Sequence, residues 1–208
     1  MSQLRLGVLI SGSGSNLQAI IDASEAGELN AAVAVVISSR EDAYGLERAR
    51  RHGIEVVWVD RSACPDASGF NAAIRDELKA RGVDLVVMAG YMRLLGVEVL
   101  DAYPLRVVNL HPALLPSFPG AHGISDAFEH GVKVTGVTVH FADEVFDRGP
   151  IIAQEAVAIA EDDTVESLEA KIHEVEHRLY PAALQLIAQG RVRVEGRKVH
   201  IDPPMPEA

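Results

Sequence analysis

A single cysteine, Cys64, in a chain of 208 residues excludes any internal disulfide. No cysteine or histidine lies beside it in a metal-binding or nucleophilic pattern, so it reads as an ordinary loop thiol. One thiol beside eight histidines suits a reducing compartment. Positive charge is also scarce. The 19 Lys and Arg against 30 Asp and Glu give a formal net charge of -11. That balance argues against broad binding to nucleic acid or to an anionic membrane, because both need a basic footprint. Small anions stay open, since backbone N–H groups hold them locally whatever the global charge. Long apolar runs are missing: Leu6–Ile10, after the polar Met1–Arg5, is too brief for a signal peptide or a membrane span. A cytoplasmic protein is expected. Repeats and low-complexity segments are absent as well.

What remains is ordinary globular composition, 48% hydrophobic and 24% charged, enough for one substantial domain over residues 1–208. Leu6–Ile10, Ala32–Ile37, Glu55–Val59, Leu85–Ala89 and Val107–Leu110 are short runs rich in Val, Ile and Leu without strict alternation. That pattern suits strands buried on both faces. Helical faces lie between them, at Leu17, Ile20 and Ile21 and again at Phe70, Ile74 and Leu78. The alternation predicts an α/β fold, a Rossmann-like, mostly parallel sheet flanked by helices. After about residue 134 the rhythm changes. Val134–Phe141 and Ile151–Ile159 read as two further strands, forming a C-terminal antiparallel portion. A helix starting near Asp163 and Thr164 carries the stripe Val165, Leu168, Ile172, Val175 and Leu179, with Tyr180–Pro181 as a kink point. Val192–Glu195 and Lys198–Ile201 around Gly196 read as a hairpin, and Pro203–Ala208 as a loose tail.

Two motifs carry chemistry. The first strand runs into Ser11-Gly12-Ser13-Gly14-Ser15-Asn16 and then a helix, with Ser15 and Gln18 at capping-box spacing. Such a loop either seats a phosphate on backbone N–H groups and the helix dipole or is a tight turn without a ligand. It is not the dinucleotide fingerprint, because Leu17 stands where the third glycine belongs, and no Gly-Lys-Ser/Thr makes it a Walker loop. The second motif is Asn109-Leu110-His111-Pro112. At i and i+2 the two polar side chains share one face at the carboxyl end of a strand, and Pro112 ends it. Acyl transfer fits, with Asn donating to an oxyanion and His stabilising charge or moving a proton. A satisfied Asn–His pair bonded to a loop fits too.

Pro112, Pro116 and Pro119 stiffen the following loop, which holds His122. In the acidic loop Ala142–Pro150, Asp143 and Glu144 read as solvated, whereas Asp147 precedes the rigid Gly149-Pro150 pair. A carboxylate beside His111 would orient its ring. On the last helix, Glu176 and His173 flank the apolar stripe; a rim contact and a hold on a substrate amine or hydroxyl both fit. The histidines lack a ligand pattern such as H-E-x-x-H, so no metal is expected.

The segments LISGSGSNLQAII, DAYGLERAR, VVMAGYMRLL, VVNLHPALLPSFPGAH, GVTVHF, DRGPIIAQ and EVEHRLYP occur in this order from about residue 6 to 181. Together they closely resemble the phosphoribosylglycinamide formyltransferases, folate-dependent transferases of purine synthesis. The resemblance implies a formyltransferase-type fold, with 1–105 as phosphate- and nucleotide-binding half and 106–202 as catalytic and folate-binding half. It implies 10-formyltetrahydrofolate as co-substrate, glycinamide ribonucleotide as acceptor, no metal, no nucleic acid or membrane partner, and a monomer or homodimer. Asn109, His111 and Asp147 are the implied catalytic set. Gly14, Ser15 and Asn16 hold the phosphate, and His173 and Glu176 hold the rest of the ribonucleotide. Met92, Arg93, Leu94, Leu95, Asn109, Asp143, Glu144 and Asp147 line the folate pocket, with His122, Thr138 and His140 as near-site support. Two departures stand out. Asp66-Ala67-Ser68 replaces the arginine often found at the head of the helix after the third strand, leaving Arg61 or Arg75 as substitutes. His122 is followed by Gly123-Ile124, where many relatives differ.

Formyltetrahydrofolate hydrolases share this catalytic core but usually add an N-terminal regulatory domain, for which a first strand at residue 6 leaves no room. Methionyl-tRNA formyltransferases add a C-terminal RNA-binding domain and a basic surface, neither of which is expected here. A silent nucleotide-binding module is disfavoured by the intact Asn109, His111 and Asp147, and a hydride-transferring Rossmann enzyme by Leu17.

Overall fold

A computed structural model describes residues 3–145 and 147–204. Strands β1 (Leu4–Ile10), β2 (Ala31–Ser38), β3 (Val56–Trp58), β4 (Leu85–Met88) and β5 (Val107–His111) are parallel. β6 (Val134–Phe141) and β7 (Ile151–Ala158) add antiparallel, in the sheet order β3-β2-β1-β4-β5-β6-β7. The alternating side chains of β1 explain its continuous apolar run. Leu6, Val8 and Ile10 enter one core and Leu9 the other.

On the first face lie α1 (Ser15–Glu25) and the long α6 (Val165–Ala188); on the second lie α3 (Ala67–Ala80) and the single turn α4 (Val97–Leu100). α6 docks by Leu168 and Ile172 and runs unbroken through Pro181. Its Tyr180 hydroxyl lies 3.0 Å from the carbonyls of both Met88 and Val108, and so ties the ends of β4 and β5 together from beneath. Total burial pushes that phenol's pKa well up, so it stays a donor. β8 (Val192–Glu195) and β9 (Lys198–Ile201) form the separate hairpin.

Three helices were not legible in the apolar pattern: α2 (Tyr44–Arg51), α4 and α5 (Gly123–His130). α2 buries only Gly45, Leu46 and Ala49. The capping box at Ser15 and Gln18 does not form. Gly14 is the N-cap, at φ 72° and ψ 32°, and no side chain caps the helix. Ser15 is already the first helical residue, so its hydroxyl is not in the position that bonds back to a third-residue N–H. The box forms instead at α6, between Thr164 and Ser167. The loose tail falls mostly on residues 205–208, outside the described residues.

The strand order reverses between β1 and β4, and in open α/β sheets ligands bind beyond the carboxyl ends at such a switch point. The glycine loop follows β1 there, and Gly90 to Met92 follows β4.

Candidate active site

Asn109 and His111 end β5, and antiparallel pairing sets His140 opposite Asn109 and Thr138 opposite His111. Asp147 arrives from the loop between β6 and β7. It is in a left-handed conformation, φ 55°, which aspartate tolerates better than most residues. Gly149 fixes that loop: a Cβ there would lie 1.7 Å from the Phe141 carbonyl oxygen. The Asp147 carboxylate accepts the Gly120 N–H at 2.8 Å, which joins the proline-rich loop to the acidic one.

The carboxylate sits between two imidazoles. Oδ2 is 3.6 Å from His111 Nδ1, and Oδ1 is 3.6 Å from His140 Nε2. The His111 and Asp147 side chains are only 4% and 1% exposed. His111 Nε2 donates to the Phe118 carbonyl at 2.7 Å. Both ring nitrogens therefore face oxygen atoms, one at hydrogen-bond distance and one at ion-pair distance. His140 Nδ1 lies 2.9 Å from the Phe141 carbonyl oxygen, and its Nε2 stands 3.3 Å from the Asn109 amide nitrogen and 3.6 Å from Asp147 Oδ1. Burial alone would raise the Asp147 pKa. The His140 contact, the Gly120 N–H and the neighbouring imidazoles outweigh it and hold the carboxyl below the usual aspartate range. Thr138, fully buried, donates to the Ala113 carbonyl and accepts from the Leu115 N–H and from Gln154, pinning the start of the proline-rich loop.

Two clefts flank this centre. One, of about 460 Å³, is lined by the glycine loop from Ser11 to Asn16, by Gly90, Met92, Pro112 and His122 to Ser125, and by His173 and Glu176. Glu176 Oε2 accepts from Asn16 Nδ2 and from His173 Nδ1, both at 2.9 Å, so the final helix is tied to the glycine loop. The hydrogen bond to Glu176 raises the His173 pKa above its ordinary value, and the carboxylate charge adds to this against a partial burial cost. The second cleft, about 30 Å³, is lined by Arg93, Leu94, Leu95, Asn109, His140, Asp143, Val145 and Asp147. A larger hollow of about 970 Å³ lies between α1 and α6 but contains none of Asn109, His111 and Asp147. Chemistry, not size, locates the site.

The structure thus gathers Asn109, His111, Asp147, His140 and Thr138 at one point, and Gly14, Ser15, Asn16, His122, His173 and Glu176 around or beside the larger cleft. Met92 lines the larger cleft rather than the smaller one. Glu144 is exposed and lines neither, because the turn in which Val145 N–H bonds to the Asp143 carboxylate leaves it outside. Phe146, within the same loop, lies outside the described residues. Neither Arg61, bonded to the Cys64 carbonyl, nor Arg75, paired with Asp76, lines a cleft. The Phe118 carbonyl and the Gly120 N–H were invisible to sequence reasoning. They are backbone groups, and only the Pro116 and Pro119 bracket around them hinted at a rigid loop.

A formyl transferase family profile matches residues 4–184. The phosphoribosylglycinamide formyltransferase of Bacillus subtilis (strain 168) is 40% identical over 181 residues, 87% of this chain and 93% of that protein. The human trifunctional purine biosynthetic protein adenosine-3 is 42% identical over 190 residues; these make up 91% of this chain but 19% of that protein. The crystal structure of glycinamide ribonucleotide transformylase 1 from Symbiobacterium toebii superimposes with a TM-score of 0.96 at 53% identity, covering 97% of this chain and 95% of that one.

Proposed function

The chain belongs to the formyl transferase family, and from that premise we propose that it moves a formyl group from 10-formyltetrahydrofolate to the primary amine of glycinamide ribonucleotide. The products are formylglycinamide ribonucleotide and tetrahydrofolate, in de novo purine synthesis. The observation that carries the reading is the meeting of Asn109, His111 and Asp147 at the carboxyl end of β5, between the two clefts.

In this reading the amine attacks the formyl carbon. The tetrahedral intermediate then carries negative charge on oxygen and positive charge on the incoming nitrogen. The Asn109 amide N–H and the His111 imidazolium donate to that oxygen. The C–N10 bond breaks, N10 takes up a proton, and the attacking nitrogen loses one, by way of His111 and a water. Asp147 holds the ring turned and lies close enough to offset a positive charge on it. His111 Nε2–H is held by the Phe118 carbonyl in the free enzyme, so its donation to substrate requires giving up that bond, consistent with catalytic hydrogen bonds that tighten only in the complex.

The glycine loop seats the ribonucleotide phosphate on the N–H groups of Gly14, Ser15 and Asn16, while His173 and Glu176 take the glycinamide end. The folate enters over Arg93, Leu94, Leu95 and Asp143, with Met92 at the boundary of the two clefts. The halves 1–105 and 106–202 divide phosphate binding from catalysis, but each lends residues to the other: Arg93 to the folate cleft and Glu176 to the ribonucleotide cleft. No step calls for a metal. Among the described residues no helix is long and apolar enough to cross a membrane. The single thiol supports a cytoplasmic enzyme, acting as a monomer or homodimer.

A spectroscopic assay of folate deformylation, with and without glycinamide ribonucleotide, tests the reading. Turnover that depends on the acceptor is expected. Turnover without it would identify a formyl-folate hydrolase.

A further inference from the structure

None of the stretch Asp42–Arg50 lines either cleft of the reacting centre. Its role lies behind the glycine loop. The Gly45 N–H donates to the Gly12 carbonyl at 3.1 Å. Arg48 Nε donates to the Ser13 carbonyl at 2.9 Å, and Nη1 donates to Gln18 Oε1 on α1 at 3.3 Å. The guanidinium stands 5.0 Å from the centroid of the Tyr44 ring, which steadies it. A Cβ on Gly45 would lie 2.6 Å from Ile10 Cδ1 and 3.3 Å from Gly14 Cα, so glycine is what lets α2 approach so closely.

In a trans peptide the carbonyl and the following N–H point in opposite directions. Anchoring the Gly12 and Ser13 carbonyls on α2 therefore turns the Ser13 and Gly14 N–H groups away from α2, toward the cleft that both residues line. Among the described residues no backbone carbonyl takes these two N–H groups, and those of Ser15 and Asn16, opening α1, fall in the first turn, where a helix offers no internal acceptor. Without the anchors the turn would have little to hold its peptide planes, since glycines flank Ser13 on both sides.

We propose that Arg48 is a positioning residue for the phosphate subsite, setting the peptide planes of the glycine loop from behind without touching the ligand. It lines the hollow between α1 and α6 instead of the substrate cleft. The inference rests on the reading of the glycine loop as the seat of a ribonucleotide phosphate.

The test is steady-state kinetics of wild type, Arg48→Met and Arg48→Lys with glycinamide ribonucleotide and with its dephosphorylated riboside. ³¹P line broadening of inorganic phosphate by each protein provides a second readout. In Arg48→Met the ribonucleotide KM should rise about tenfold while kcat stays within about twofold, the scale of losing charged hydrogen bonds that act only on binding. Arg48→Lys, which keeps the charge but not the fork, should show a smaller rise in the same direction. The riboside KM should not change, and phosphate broadening should weaken. An unchanged ribonucleotide KM in a folded Arg48→Met, or in Arg48→Lys should the first not fold, overturns the proposal. An equal rise for both acceptors overturns it too, because that is a general loss of structure. A wild type without acceptor-dependent turnover sinks the functional reading instead. The phosphate signal alone then decides the role of Arg48, which fails if Arg48→Met broadens it as wild type does.

Discussion

His111 is held from both sides, by the Phe118 carbonyl at Nε2 and the Asp147 carboxylate at Nδ1, and its neighbour Asn109 presents an amide to the smaller cleft. Removing the amide in Asn109→Ala should lower kcat about 10²–10³-fold, the usual consequence of losing one oxyanion donor. His111→Ala should lower it about 10²–10⁴-fold through lost proton transfer and charge. Single-turnover rates with both substrates saturating check both values, and near-normal turnover in His111→Ala would end the assignment. Two groups at this scale also make stability depend on pH. The folded Asp147 carboxyl titrates below the ordinary aspartate value, so its contribution is complete above that ordinary value and disappears as pH falls through the depressed one. The folded His173 titrates above the ordinary histidine value, so its contribution is complete below that ordinary value and disappears as pH rises through the raised one. Urea unfolding across pH, for wild type against Asp147→Asn and His173→Gln, should show the acid-side slope flattened in the first variant and the near-neutral slope flattened in the second.

Among the elements, α6 and the glycine loop are coupled through Asn16, Glu176 and His173. Glu176→Ala would leave the buried Asn16 amide without its acceptor, which should cost about 1–3 kcal/mol of stability and raise the ribonucleotide KM; denaturant titration and kinetics read the two effects separately. In the loop from β6 to β7, Gly149→Ala forces the chain away from the Phe141 carbonyl. It should cost about 1–3 kcal/mol as an overpacking change and lower kcat by displacing Asp147. A variant as stable and active as wild type would show that the loop does not depend on this contact. The strands were legible because buried runs such as Val86 to Met88 and Val107 to Val108 admit few other readings. α2 was not, because half of its residues are charged and it buries only one large apolar side chain, Leu46, beside Gly45 and Ala49. The start of α1 was misread because serine and glutamine at the right spacing do not make a cap when a left-handed glycine already occupies the N-cap.

In the molecule as a whole, the sheet brings together groups that are far apart in the chain. The end of β5 lies beside β6 by an antiparallel register that sequence pattern does not fix, and Asp147 reaches His111 across 36 positions only because Gly149 and Gly120 shape two loops toward each other. Residue types and strand ends were therefore visible at Asn109 and His111, while their partnership with Asp147 came from family likeness alone. Glu144 illustrates the limit of that likeness: a loop can carry the family's charge and still turn one carboxylate outward. The central claim is that His111 and Asp147 act as one unit. A double-mutant cycle on the formyl-transfer rate, comparing His111→Ala, Asp147→Ala and the pair in single-turnover experiments, tests it most directly. The account predicts strong non-additivity, with the double variant little slower than the worse single variant. Losses that simply multiply would contradict it.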